Sequence, residues 1–250
     1  MSFRAEVKTF AKTRLNEQYG TTLGGILLAN APIILLAIIQ TIASIFLSYM
    51  LQLQFFYSPF IAPGFAVMFS ALLSLLPLCM LFLLPFSCVG CSFLSLTVAR
   101  RQQASCIQPY TIGIKNYLRK LGGMLWMLLF IVLWSMLFIV PGIIKAYSYR
   151  FTPYILADCP NVKATEALKL SMRITDGMKK EIFFFDLSFL GWALLTALTF
   201  GILGIYTIPY FKIAEATLFE SMKNNALSSG RIVEADLNAS TANYTPFAMS

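Results

Sequence analysis

The sequence predicts an all-α, polytopic membrane protein of about six transmembrane helices, with amphipathic helices on the membrane surface and both termini in the cytoplasm. Three observations carry this. The 250 residues are 58% hydrophobic and 12% charged, about half the ~25% charge of an ordinary soluble domain. No charged residue occurs between Glu17 and Arg100, so 82 consecutive positions (18 to 99) are neutral. Finally, Lys and Arg gather in segments that flank the apolar runs, which is a topology signal.

Residues 3–18 mix Phe3, Val7, Phe10, Ala11 and Leu15 with Arg4, Lys8, Lys12 and Arg14. This alternation predicts a helix lying on the membrane surface. The first span, about 23–50, is too long for a secretory signal, whose apolar region runs to about 15 residues. A loop over 51–64 follows, with glutamines, aromatics, two prolines and a glycine. The second span, 65–99, is 35 residues long, about 52 Å at 1.5 Å per residue against a ~30 Å hydrocarbon core. Either Pro77 and Pro85 are therefore expected to kink it, or its end projects from the bilayer. The basic stretch 100–120 reads as a short amphipathic surface segment, and spans at 121–140 and 142–159 come next. Residues 161–176 form a second surface helix, with Lys163, Glu166, Lys169 and Arg173 opposite Ala167, Leu168, Ser171, Met172 and Ile174. Spans at 182–205 and 206–223 complete a single membrane domain, 1–223, and residues 224–250 read as a disordered cytoplasmic tail.

Orientation follows from Lys and Arg alone. Residues 1–20 hold four, 100–120 five and 163–180 five, while 51–64 hold none. All three basic segments are expected on the cytoplasmic side, so the segment 142–159 is read as crossing.

The chain has a net charge of +8, but the basic residues flank apolar segments instead of forming one compact face, so nucleic acid is not expected as a partner. There is no histidine, which removes the usual proton shuttle and the commonest metal ligand. The pair Cys88–Cys91 has redox or zinc spacing, but no second pair completes a site; it reads as small residues on a helix-packing face. No phosphate loop, nucleophile elbow or paired-carboxylate constellation is present. The chain is read as non-enzymatic, with no catalytic residue, metal or cofactor assigned.

The site signal is the stretch Ile139–Asp158, "IVPGIIKAYSYRFTPYILAD". A Lys or Arg at a helix centre costs about 2.5–3.5 kcal/mol on insertion scales, so Lys145 and Arg150 need compensation. Two readings are open: a cationic, tyrosine-lined cavity for an anionic or amphipathic ligand, or a structural ion pair of Arg150 with Asp186 or Glu215. The candidate ligand-binding residues are Lys145, Tyr147, Tyr149, Arg150, Tyr154, Asp186, Tyr210, Lys212 and Glu215. Lys212 and Glu215 can also pair with each other at i, i+3. Lys145, Arg150 and Lys212 outnumber Asp186 and Glu215, which leaves one positive charge over.

The stretches "PGIIKAYSYRFTPYILADCP", "EALKLSMRITDGMKKEIFFFDLSFLGW" and "IPYFKIAEATLFESM" resemble a family of uncharacterised multi-pass membrane proteins of mainly Gram-positive bacteria. More distantly, this half resembles the membrane domain that accompanies some glycerophosphodiester phosphodiesterases. The resemblance implies a protein of the bacterial cytoplasmic membrane and no particular activity. The leading expectation is transport or binding of an anionic or amphipathic small molecule or lipid between the last three helices, with anionic membrane lipids as partners. The alternative is an accessory or scaffold protein that binds another membrane protein or a second copy of itself, its buried charges purely structural.

Overall fold

A computed structural model of the chain describes residues 3–57 and 63–237, and these are all helical or connecting. In chain order the helices are α1 (Phe3–Glu17), α2 (Tyr19–Tyr57), α3 (Pro63–Ser74), α4 (Leu76–Ala99), α5 (Gln108–Ile114), α6 (Tyr117–Leu137), α7 (Ile139–Tyr149), α8 (Thr152–Asp158), α9 (Ala164–Thr175), α10 (Lys179–Leu198) and α11 (Gly204–Ser228). Four stretches are long and apolar enough to cross a membrane: Tyr19–Gln52, Met68–Ala99, Tyr117–Leu137 and Lys179–Leu198.

The long run expected at 65–99 does break, at Leu75, where α3 gives way to α4. Pro77 stands in the first turn of α4, where its missing N–H is tolerated, and Leu75 before it keeps helical dihedrals. The segment expected as a fourth span, 142–159, is two helices: α7 stops at Tyr149 and α8 starts at Thr152, with Pro153 in the first turn of α8. Together they run antiparallel to α6. Gly142 is pressed against Ser135, the Lys145 ammonium lies over the Trp134 ring, Phe130 meets Tyr149, and Arg119 reaches the carbonyl of Cys159.

Two surface expectations change. Helix α1 packs on α11, burying Val7, Ala11 and Leu15 against protein where lipid was expected. Segment α5 folds back along α4, with Pro109 against Gly90 and Gly113 against Phe86. The second follows from small side chains: at Gly90 a Cβ would lie 2.5 Å from the Pro109 carbonyl oxygen, so glycine permits backbone contact. Helix α9 keeps its expected amphipathic character, with Ala167, Leu168, Leu170 and Ile174 inward.

The boundary expected at residue 223 is passed. Helix α11 runs to Ser228, and Ile232 and Leu237 are buried against the main core. Residues 238–250, and the part of the expected 51–64 loop at 58–62, lie outside the described residues.

Burial divides the molecule into two zones. A packed core unites α1, the second half of α4, α8, α9 and the second half of α11. The large exposed apolar side chains gather on α2, the first half of α4, the α6–α7 hairpin and the α10–α11 hairpin, for example Ile42 at 63% and Leu133 at 59%. An apolar surface of this extent calls for cover by hydrocarbon or by another protein.

Candidate functional site

The break between α7 and α8 frees backbone groups, and α9 satisfies them. The Phe151 amide donates to Ser171 Oγ (3.2 Å), while the Ser148 carbonyl accepts from Ser171 Oγ (2.8 Å) and Thr175 Oγ1 (3.4 Å). With its backbone held this way, the break aims Arg150 at α10 and α11. Arg150 Nη1 donates to Asp186 Oδ2 at 2.5 Å, and Nε to Glu215 Oε1 at 2.9 Å. The other oxygen of Glu215 accepts from Tyr154 Oη at 2.9 Å and from Lys212 Nζ at 3.1 Å. Five of the nine candidate residues therefore meet in one network: Arg150, Tyr154, Asp186, Lys212 and Glu215.

Of the other four, Tyr147 stands beside Asp186 and the remaining three lie apart. Lys145 places its ammonium 5.2 Å from the Trp134 ring centroid and 5.9 Å from that of Tyr149, a cation–π arrangement. Tyr149 is buried against Phe130, and Tyr147 packs edge-on to Phe183. Tyr210 belongs to an aromatic stack with Phe189, Trp192 and Tyr206, and its hydroxyl reaches the Lys8 carbonyl. With Lys145 outside, the network holds two cations and two carboxylates. The surplus charge expected from the sequence is not in the cluster.

A second ionic cluster escaped the sequence reading. Arg100, just past α4, grips Asp158 with two bonds of 2.5 and 2.8 Å and Glu220 at 2.5 Å, and Lys223 Nζ donates to Asp158 Oδ2 at 2.7 Å. Asp158, Glu220 and Lys223 are almost fully buried. Burial by itself would push the Asp158 carboxyl up; the hydrogen bond from Arg100 and the charges of Lys223 and Arg100 outweigh it and hold Asp158 at about 2. Among the described residues this cluster is neutral as well. The signal lay in α11, "KIAEATLFESMK", where Lys212, Glu215, Glu220 and Lys223 recur on one side of the helix. Each end of that pattern takes an arginine and an aspartate from elsewhere in the fold. Phe219 sits between the two ends, stacked on Tyr154.

Arg119 also has a structural post. Its guanidinium donates to the carbonyls of Leu156, Cys159 and Val162 at 2.5–2.9 Å, capping the C-terminal end of α8. Between α2 and α5 lies an open apolar groove of about 870 Å³, lined by Leu27, Leu28, Leu35, Ile38, Ile107 and Tyr110 among others. A polar bond system ties α2 to α4: Ser87 Oγ donates to Asn30 Oδ1 at 2.6 Å, and Asn30 Nδ2 to Cys91 Sγ at 3.6 Å. Cys88 and Cys91 are both free thiols.

Seven of the eight charged residues of the two clusters lie between Arg150 and Lys223. Residues 140–226 match the family model described as "Protein of unknown function (DUF975)". The matched stretch holds α7 to α10 and nearly all of α11, so both clusters fall inside it except for Arg100. No curated protein and no solved structure matches the chain.

Proposed function

We propose that the protein is a non-enzymatic, multi-pass component of a bacterial cytoplasmic membrane, with both termini on the cytoplasmic side, acting as an accessory or scaffold for another membrane protein. The observation that supports this reading is charge balance. Arg150 and Lys212 are matched by Asp186 and Glu215, and Arg100 and Lys223 by Asp158 and Glu220. A buried charge is tolerated when it is paired and hydrogen-bonded, so neither cluster needs an added charge to balance it, although Asp186 Oδ1 and Glu220 Oε2 are buried without a hydrogen bond among the described residues. The orientation rests on the three basic segments.

One observation favours the second reading, binding or transport of an anionic or amphipathic molecule. The first cluster is open on one side, where the side chains of Asp186 and Lys212 are 30% and 36% exposed. An anionic headgroup approaching there would meet Lys212 first. Native mass spectrometry of gently purified protein separates the two. The scaffold reading expects retained anionic lipid to be lost equally, or not at all, from Arg150→Gln and from Lys169→Gln, an exposed control on α9. It also expects a photo-crosslinking side chain at Ile45, 65% exposed on α2, to give one discrete protein adduct in native membranes. Selective loss of lipid from Arg150→Gln, with lipid adducts alone at position 45, establishes the binding reading instead.

A further inference from the structure

We infer that the α6–α7 and α10–α11 hairpins enter the bilayer from the side of the basic segments and end inside the hydrocarbon without crossing it, while α2 and α3–α4 cross fully. This inference rests on the membrane reading above and replaces the six-crossing expectation.

The tips come first. A hairpin that crosses must turn in water, where polar residues are favoured. Here the α6–α7 turn is Met136 to Val140, with Met136 82% and Ile139 76% exposed, and the α10–α11 turn carries Leu198 at 76%, Phe200 at 97% and Ile202 at 73%. No charged residue occurs between 121 and 144 or between 187 and 211. Backbone bonds inside the two turns supply much of what hydrocarbon requires. The Phe138 amide donates to Trp134 and the Gly142 amide to Phe138; the Gly201 amide donates to Thr196 and the Gly204 amide to Gly201. Gly201 has a positive φ of 87°, which glycine adopts freely, whereas Phe200 beside it is held at a positive φ of 50°, a strained value for a bulky residue.

The aqueous boundary can be placed from the opposite direction. On the first hairpin the Ser148 carbonyl is bonded to Thr175, whose successors Asp176 and Lys180 are exposed to solvent. On the second, Lys8 of α1 donates to the Ser188 carbonyl at 2.8 Å, and α1 carries the exposed Lys12. The headgroup level therefore comes down at least to the depth of Ser148 and Ser188. From Ser148 to Phe138, and from Ser188 to Leu198, is ten residues in each case. At 1.5 Å per residue that is about 15 Å, half of a ~30 Å core. Lys145, the one charge on the tip side of Ser148, keeps its ammonium against the Trp134 and Tyr149 rings. By contrast α2 has 39 residues, about 58 Å, enough to cross. The protein is then a wedge, with six helical segments in the leaflet on the basic side and two in the other.

Depth-dependent fluorescence quenching tests this on the full chain in vesicles. Trp126, Trp134 and Trp192 are replaced by phenylalanine, and a single tryptophan is installed as Phe200→Trp or Phe138→Trp, both at exposed positions that remove no core packing. The expected result is the greatest loss of fluorescence with lipids brominated near the chain ends, and the least with lipids brominated beside the headgroup. The reverse order at both positions shows crossing and overturns the inference. Absence of quenching by any brominated lipid overturns the membrane reading itself along with it.

Discussion

Arg150 Nε and Glu215 Oε1 meet at 2.9 Å across 65 residues of sequence, and the same guanidinium holds Asp186 at 2.5 Å. One arginine at a helix break thus ties α7–α8 to both α10 and α11. Breaking one partner of such a buried set leaves an uncompensated charge, at about 3–5 kcal/mol, whereas removing opposite charges together is often nearly neutral. Arg150→Met is expected to lower the melting temperature in detergent by a corresponding amount. The double variant with Asp186→Leu should recover most of it, because Lys212 still neutralises Glu215. Additive losses in the melting curves would show that the two residues act independently.

The second cluster predicts a pH dependence. Asp158 is held at about 2, below the ~3.9 of a free aspartate. A depressed folded-state value means that its stabilisation is fully present above about pH 4 and is lost as pH falls through about 2. The amount is roughly 2 kcal/mol, at 1.36 kcal/mol per unit. Melting temperatures between pH 6 and 2 should therefore fall more steeply for the native protein than for Asp158→Asn, which starts lower and flatter. Parallel curves would remove Asp158 from this role.

Close packing of α4 on α5 predicts a contrast between two glycines. Gly90→Ala drives a Cβ to 2.5 Å from the Pro109 carbonyl oxygen, whereas at Gly122 on α6 nothing lies within 4 Å. Overpacking against backbone costs about 1–3 kcal/mol; an unobstructed Gly→Ala change in a helix gains about 0.5–1 kcal/mol. Thermal unfolding should move in opposite directions for the two variants. The same sign for both would mean that α5 does not rest on Gly90.

Arg119 supplies a fourth test, since it serves three carbonyls at the end of α8. Arg119→Gln is expected to lose about 1–3 kcal/mol, the cost of leaving buried acceptors unsatisfied. Lys169→Gln, on the exposed face of α9, should stay within ~0.5 kcal/mol of the native protein. Equal melting temperatures for the two would contradict the capping role.

Much of the first cluster was legible in sequence. Cations in apolar text demand carboxylates, and Asp186 and Glu215 were carboxylates within the expected spans; Lys212 and Glu215 are one helical turn apart. The second cluster was not legible, because Arg100 read as part of a basic surface segment, while Asp158 and Glu220 lie towards the ends of two separate expected spans. Their separations of 58 and 120 residues carry no periodic signal. Tyr210 had the same fate: its hydroxyl meets Lys8, 202 residues away, and no local pattern points there.

What the sequence determined by itself is the solvent. An uncharged run of 82 residues and basic segments beside the apolar ones dictate a helical chain in lipid, since transfer free energies sum along the chain regardless of partners. The amphipathic faces of α1 and α9 follow from the same local arithmetic. Tertiary structure alone decided what those faces touch: α1 buries Val7, Ala11 and Leu15 on protein, α5 turns back onto Gly90, and eight charges close into two neutral clusters. Hydropathy is a property of each residue, whereas pairing and close approach depend on which distant residues the fold makes neighbours.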